Sequence, residues 1–130
     1  MKNIVLRLLL TCLGLAGVSA IPIAAHHAFE VDYDPADTTD LSGVVTKVEW
    51  NNPHAHVFIN VEDGGAINNF AIELGPPYAL VRGGWQRETV KIGDTITMEN
   101  VARARDGSTR AGATRQSALL LSSGERMVLR

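Results

Sequence analysis

All four histidines of this chain fall in two short motifs, "AHHAFE" at residues 25–30 and "NPHAHVF" at residues 52–58. His26 and His27 are adjacent, whereas His54 and His56 stand two apart. In an extended chain, residues two apart leave the same face from neighbouring pleats, so both of these rings can converge on one ion. A carboxylate such as Glu73 could add an oxygen donor, or accept from one ring and so fix its tautomer. Imidazole with carboxylate suits copper(II), zinc or nickel better than calcium or magnesium. The competing explanation is purely structural: a surface histidine pair beside a turn, with His56 and Glu73 as an ordinary cross-strand contact.

The other pair depends on processing. Residues 1–25 read as a secretory signal, with Lys2 and Arg7 as the basic start, Leu8 to Val18 as the apolar stretch, and Ser19, Ala20, Ala24 and Ala25 as small residues near the cut. Arg7 interrupts the apolar run and Pro22 closes it, which makes a poor membrane span. The expectation is a periplasmic or secreted protein with no stable membrane insertion after the signal is removed. Cleavage after Ala25 would leave His26 first, where its free amine and ring can chelate copper. Cleavage one residue earlier would leave Ala25-His26-His27, a terminus that binds copper(II) through amine, amides and imidazole. Cleavage after Ala20 removes both arguments and leaves the two histidines in a leader.

Cys12, the only cysteine, lies within the signal, so the mature chain is expected to hold neither a disulfide nor a thiolate metal site. Losing Lys2 and Arg7 leaves ten Lys+Arg against fourteen Asp+Glu, a net charge of −4. That balance argues against nucleic acid as a partner, because phosphate binding needs a basic surface.

The elements that would position these residues are strands. Residues 26–40 form an acidic, turn-rich leader in which Glu30, Asp32, Asp34, Asp37 and Asp40 surround Pro35; the spacing only loosely matches a calcium loop, without its glycine turn or terminal glutamate. The domain proper is expected over residues 41–130. "LSGVVTKVEW" alternates, with Val44, Val48 and Trp50 on one face, until Asn51-Asn52-Pro53 breaks it. "HAHVFINVED" then places Ala55, Val57, Ile59 and Val61 inward, and "INNFAIELG" does the same with Phe70, Ile72 and Leu74. The Gly64-Gly65 turn between them predicts a hairpin in which facing positions sum to 129, setting Ile59 against Phe70 and His56 against Glu73. A one-residue slip would turn every apolar residue outward, so the register is constrained.

Pro77 opens a short helix, "YALVR", that Gly83-Gly84 stops. A strand with Ile96, Met98, Ala102 and Ala104 alternating follows, then a loop, "DGSTRAGAT", and a last strand, "RQSALLLSSGERMVL", which a hairpin at Ser122 to Glu125 could extend. Three strands, a helix and two strands predict an all-β fold, a small five-stranded OB-like Greek-key barrel with one short helix between strands three and four. Such barrels bind ligands on the outer face of strands two and three, where His54, His56, Phe58, Asn69 and Glu73 would lie. Trp50, Trp85 and Tyr78 read as barrel filling. Arg103, Arg105, Arg110 and Arg115 could meet an anion, or line a solvated edge.

The stretches "AHHAFE", "GVVTKVEWNNPHAHVFINV", "FAIELGPPYALVRGGW" and "KIGDTITM" resemble a family of small exported bacterial proteins classified only as a domain of unknown function. The resemblance covers nearly all of the mature chain. It implies His26, His27 and His54 as the positions matching the family's histidines and leaves His56 outside the pattern; Ala28 stands where the family has serine. No activity comes with it.

No nucleophile elbow, phosphate loop or zincin helix is present. The functional expectation is therefore a non-enzymatic exported binding domain for a transition metal, copper or alternatively zinc, at His26 or His27 with His54, joined by His56 or Glu73. The alternative is an exported module that docks on a partner protein without metal or catalysis.

Overall fold

The computed structural model describes residues 28–129, and the barrel unit begins at Val31. Its strands are β1 (Tyr33–Glu49), β2 (His56–Asp63), β3 (Ala66–Glu73), β4 (Thr95–Ala104), β5 (Arg110–Gly112), β6 (Ala118–Leu121) and β7 (Arg126–Val128), with a helix α1 (Pro77–Arg82) between β3 and β4. The sheet runs β1-β2-β3-β5-β4-β6-β7, and an additional β1–β4 pairing closes the first five into a barrel. β3 and β5 are parallel, and the other pairs are antiparallel. This is the expected OB-like barrel, extended by the β6–β7 hairpin. No helix among the described residues is long and apolar enough to cross a membrane.

The β2–β3 hairpin has the register its turn predicts: Ile59 pairs with Phe70, Val57 with Ile72 and His56 with Glu73. Gly64 and Gly65 both take positive φ, which a two-residue turn of this kind requires. Ala55, Val57, Ile59, Ile72 and Leu74 are buried in the core with Leu80, Trp85, Met98 and Leu119. Trp85 donates its indole N–H to the Val128 carbonyl at 2.7 Å and stacks on Trp50, with ring centroids 6.4 Å apart. α1 contributes only Leu80 to this core; Tyr78 points to solvent, 64% exposed, and does not fill the barrel.

Elsewhere the alternation changes phase. Val45 pairs with Ile59 and Lys47 with Phe58, so Thr46 is an extra residue, a β-bulge. Hence Val45 and Val48 both point inward, and Val44, expected inside, is 44% exposed. In β4 the shift occurs at Asn100, which takes φ 52. Asparagine tolerates this region better than most residues. Here its N–H donates to Asp40 at 2.8 Å and its carbonyl accepts from Ser117 at 2.6 Å. Beyond it Val101 enters the core, while Ala102 and Ala104 are buried outside it.

Two boundaries differ from expectation. β1 starts at Tyr33, inside the acidic stretch read as a leader, and pairs with β4 from Tyr33–Ala104 onward, lapsing between Asp34 and Thr38. The strand that closes the barrel is the three-residue β5, within the segment read as a loop; the last segment is the β6–β7 hairpin, turning at residues 122–125 where the sequence predicts a hairpin. β5 and β6 successively pair with β4, separated by a turn at residues 113–117 where Ser117 accepts from the Thr114 N–H at 2.8 Å.

Candidate functional site

Because Ala55 points inward, its neighbours His54 and His56 lie outward. His54 precedes β2 but is held as firmly as a strand residue, since the Ala55 N–H donates to Gly75 at 3.2 Å and the Leu74 N–H donates to Ala55 at 2.8 Å. Glu73 lies outward between Ile72 and Leu74, and its backbone carbonyl accepts from Ala113 at 2.8 Å, tying β3 to the chain beyond β5.

Glu73 organises the site. Its Oε1 lies 2.7 Å from Nδ1 of His54, and its Oε2 accepts from the Tyr33 hydroxyl at 3.1 Å. A carboxylate accepting at both oxygens requires His54 to carry its proton on Nδ1. Among the described residues the other ring nitrogen, Nε2, makes no hydrogen bond, and the ring is 40% exposed. The result is an imidazole held by a carboxylate with its lone pair on the outer nitrogen, the arrangement that surrounds metal-ligating histidines.

Tyr33 reaches Glu73 from 40 residues away in sequence, and the strands between them carry small residues. Ala104 faces Tyr33 across β1–β4, Ala102 faces Gly112 across β4–β5, and Gly112 faces Glu73 across β5–β3. The phenol is 4% exposed. Burial above all, then the Glu73 carboxylate, hold its pKa far above the usual tyrosine range; Arg110, 5.9 Å from the ring centroid, only partly offsets them.

A second set of donors lies alongside. Glu49 pairs with His56 across β1–β2, and His56 with Glu73 across β2–β3, so carboxylate, imidazole and carboxylate form one row over three strands. Directly facing residues of this kind have Cβ atoms about 5 Å apart. The Lys47 ammonium hydrogen-bonds Glu49 and holds its carboxyl below the ordinary range, so Glu49 is an anion at neutral pH. The His56 ring lies 6.4 Å from that of Phe58. The side chains as they stand do not gather three metal donors at one point among the described residues.

The structure thus joins His54 to Glu73 directly and places His56 in the adjoining row. His26 and His27 lie outside the described residues. Tyr33 is the participant the sequence did not disclose; its one signal is an aromatic residue within an otherwise acidic stretch. The acidic residues do not form a calcium loop: Asp34 pairs with Arg105 at 3.2 Å, Asp37 with Arg103 at 3.4 Å, and Asp40 caps Asn100. These contacts engage Arg105 and Arg103, two of the arginines considered for an anion, and Arg110 lies 3.2 Å from Asp106.

A family model described as "Family of unknown function (DUF6152)" matches residues 14–114, which take in Tyr33, His54, His56 and Glu73. The chain belongs to this family. In this DUF6152 protein the matched region runs through β5 and ends before the β6–β7 hairpin. The chain is also similar to large ribosomal subunit protein bL17 of Helicobacter acinonychis (strain Sheeba), 35% identical over 60 residues. That similarity covers 44% of this chain and 52% of the ribosomal protein, so the chain spans about half of that relative's length.

Proposed function

We propose that this DUF6152 protein is an exported, non-enzymatic binding domain that takes a transition metal, copper(II) foremost and zinc alternatively, at Nε2 of His54. The observation that carries the reading is the 2.7 Å contact from Nδ1 of His54 to Glu73, which leaves the outer nitrogen as the donor. Partners of this type orient a ligand and raise its basicity, and their loss commonly costs about 10–100-fold in metal affinity. His56 and Glu49 supply a second imidazole and an anion in the adjoining row, chemistry suited to copper or zinc. The acidic balance of the chain, 14 Asp+Glu against 12 Lys+Arg, disfavours nucleic acid, so an RNA-associated role is not carried over from the ribosomal relative.

The test is calorimetric titration of the full exported protein with copper(II) and with zinc, repeated on His54→Ala, His56→Ala and the double variant His26→Ala/His27→Ala. One tightly bound equivalent that weakens at least tenfold in His54→Ala supports the reading. Equal binding by wild type and His54→Ala would refute it, and the other two variants assign the remaining donors.

A protein-docking module is the second reading. It is favoured by Tyr78 and Val81, which are three apart and exposed on α1, and by exposed Val128, whose methyl lies beside Gly83 at the end of α1. A partner that co-purifies with the protein and survives chelation would favour it over metal binding.

A further inference from the structure

We infer that Tyr33 is a positioning residue of the site: through Glu73 it holds His54 in the tautomer that keeps Nε2 free for a ligand. This rests on the reading of His54 as a donor, but its first consequence can be observed without metal. A buried phenol needs a partner for its hydroxyl, and any backbone carbonyl would serve. Here the hydroxyl goes instead to the carboxylate that holds the exposed imidazole.

The geometry explains why the second bond matters. Glu73 is a side chain with three rotatable bonds on the outer face of a sheet, and one contact to His54 leaves its carboxylate free to swing away. With Oε2 tied to a buried hydroxyl and Oε1 to Nδ1, both ends of the carboxylate are fixed. Tyr33 is itself anchored, since it pairs with Ala104 and the preceding Asp32 carbonyl accepts from Arg105 at 2.9 Å. The first residues of β1 thereby control the donor strength of a residue on the far side of three strand pairings. Without that control the proton can migrate to Nε2, where it blocks the ligand.

The experiment compares full-length wild type and Tyr33→Phe, which keeps the buried ring and removes only the hydroxyl. Nitrogen-15 imidazole spectra at a pH near 8.5, where an ordinary histidine ring is neutral, report the tautomer of His54. Copper(II) titration of the same samples reports affinity, and thermal unfolding verifies that the variant is folded. The expected result is a His54 signal shifted toward the Nε2–H form in Tyr33→Phe, with copper affinity about tenfold weaker. Glu73→Gln, which keeps size and shape, should shift the tautomer the same way and covers the case in which Tyr33→Phe does not fold. A shifted tautomer in a protein that binds no copper would uphold the positioning role and remove the metal reading. An unchanged His54 tautomer in folded Tyr33→Phe, or in Glu73→Gln, would overturn the inference, whatever the copper titration shows.

Discussion

Gly43 lies where β1 changes partners, and its replacement by alanine should be among the most damaging single-methyl additions in the barrel. Residues Val44 to Glu49 pair with β2 and residues Tyr33 to Val44 with β4, so the strand must bend sharply at this point. A Cβ on Gly43 would overlap the carbonyl of Asn60 and crowd the N–H of Val61. Those atoms are backbone, and relief requires separating β1 from β2. Overpacking a well-packed site typically costs about 1–3 kcal/mol, and a backbone obstacle belongs at the top of that range. With about 4–8 °C lost per kcal/mol in a domain near this size, a cost of about 3 kcal/mol lowers the melting midpoint by roughly 12–24 °C. Gly64→Ala is the control, because its φ of 57° strains alanine but nothing lies within 4 Å of the added carbon; a left-handed residue costs roughly 1–2 kcal/mol. Thermal and urea unfolding followed by tryptophan fluorescence would measure both. If Gly43→Ala proved no more destabilising than Gly64→Ala, the steric account of the β1 bend would be refuted.

Three further outcomes are expected. Ser117→Ala should cost about 1–3 kcal/mol in urea unfolding, because it leaves the Asn100 carbonyl and the Thr114 N–H without their shared buried hydroxyl; a smaller loss would mean that the β5–β6 turn is held by other contacts. The raised pKa of Tyr33 means that the folded protein keeps a proton which the unfolded chain loses above about pH 10, so this contribution is complete below that pH and declines as pH rises. Wild type should therefore lose up to about 1.4 kcal/mol per pH unit more than Tyr33→Phe between pH 10 and 11, and parallel curves for the two would show that the phenol is not held protonated. Glu73→Gln should weaken copper binding about 10–100-fold, or about 1.4–2.7 kcal/mol, and unchanged affinity would show that the carboxylate does not orient the ring.

The legible parts of the fold are those where pattern and turn agree locally. Gly64-Gly65 fixes the β2–β3 register, and with it the facing of His56 and Glu73, because the two strands alternate without interruption. The pattern misleads where a single residue breaks the period, at Thr46 and at Asn100, since a bulge leaves composition unchanged and reverses every residue beyond it. β5 is hidden for another reason. Arg110-Ala111-Gly112 is too short to alternate, and its pairing with β3 is parallel and remote in sequence.

The site divides along the same line. His54, His56 and Glu73 are visible as residue types near one turn, and the hairpin register brings them together. The contact that forms is between Glu73 and His54, not its register partner His56, because the segment before β2 carries His54 over the Glu73 carboxylate. Tyr33 belongs to a stretch whose acidity suggests solvation. Its contact with Glu73 lies across β4 and β5, where Ala104, Ala102 and Gly112 are small, a condition spread over two strands.

A crystal structure of the copper-loaded full-length protein, with the metal located by anomalous scattering, tests the central claim most directly. The account predicts a peak about 2.0 Å from Nε2 of His54, with Nδ1 still bonded to Glu73. A metal bound through Nδ1, or at a position not in contact with His54, would contradict it.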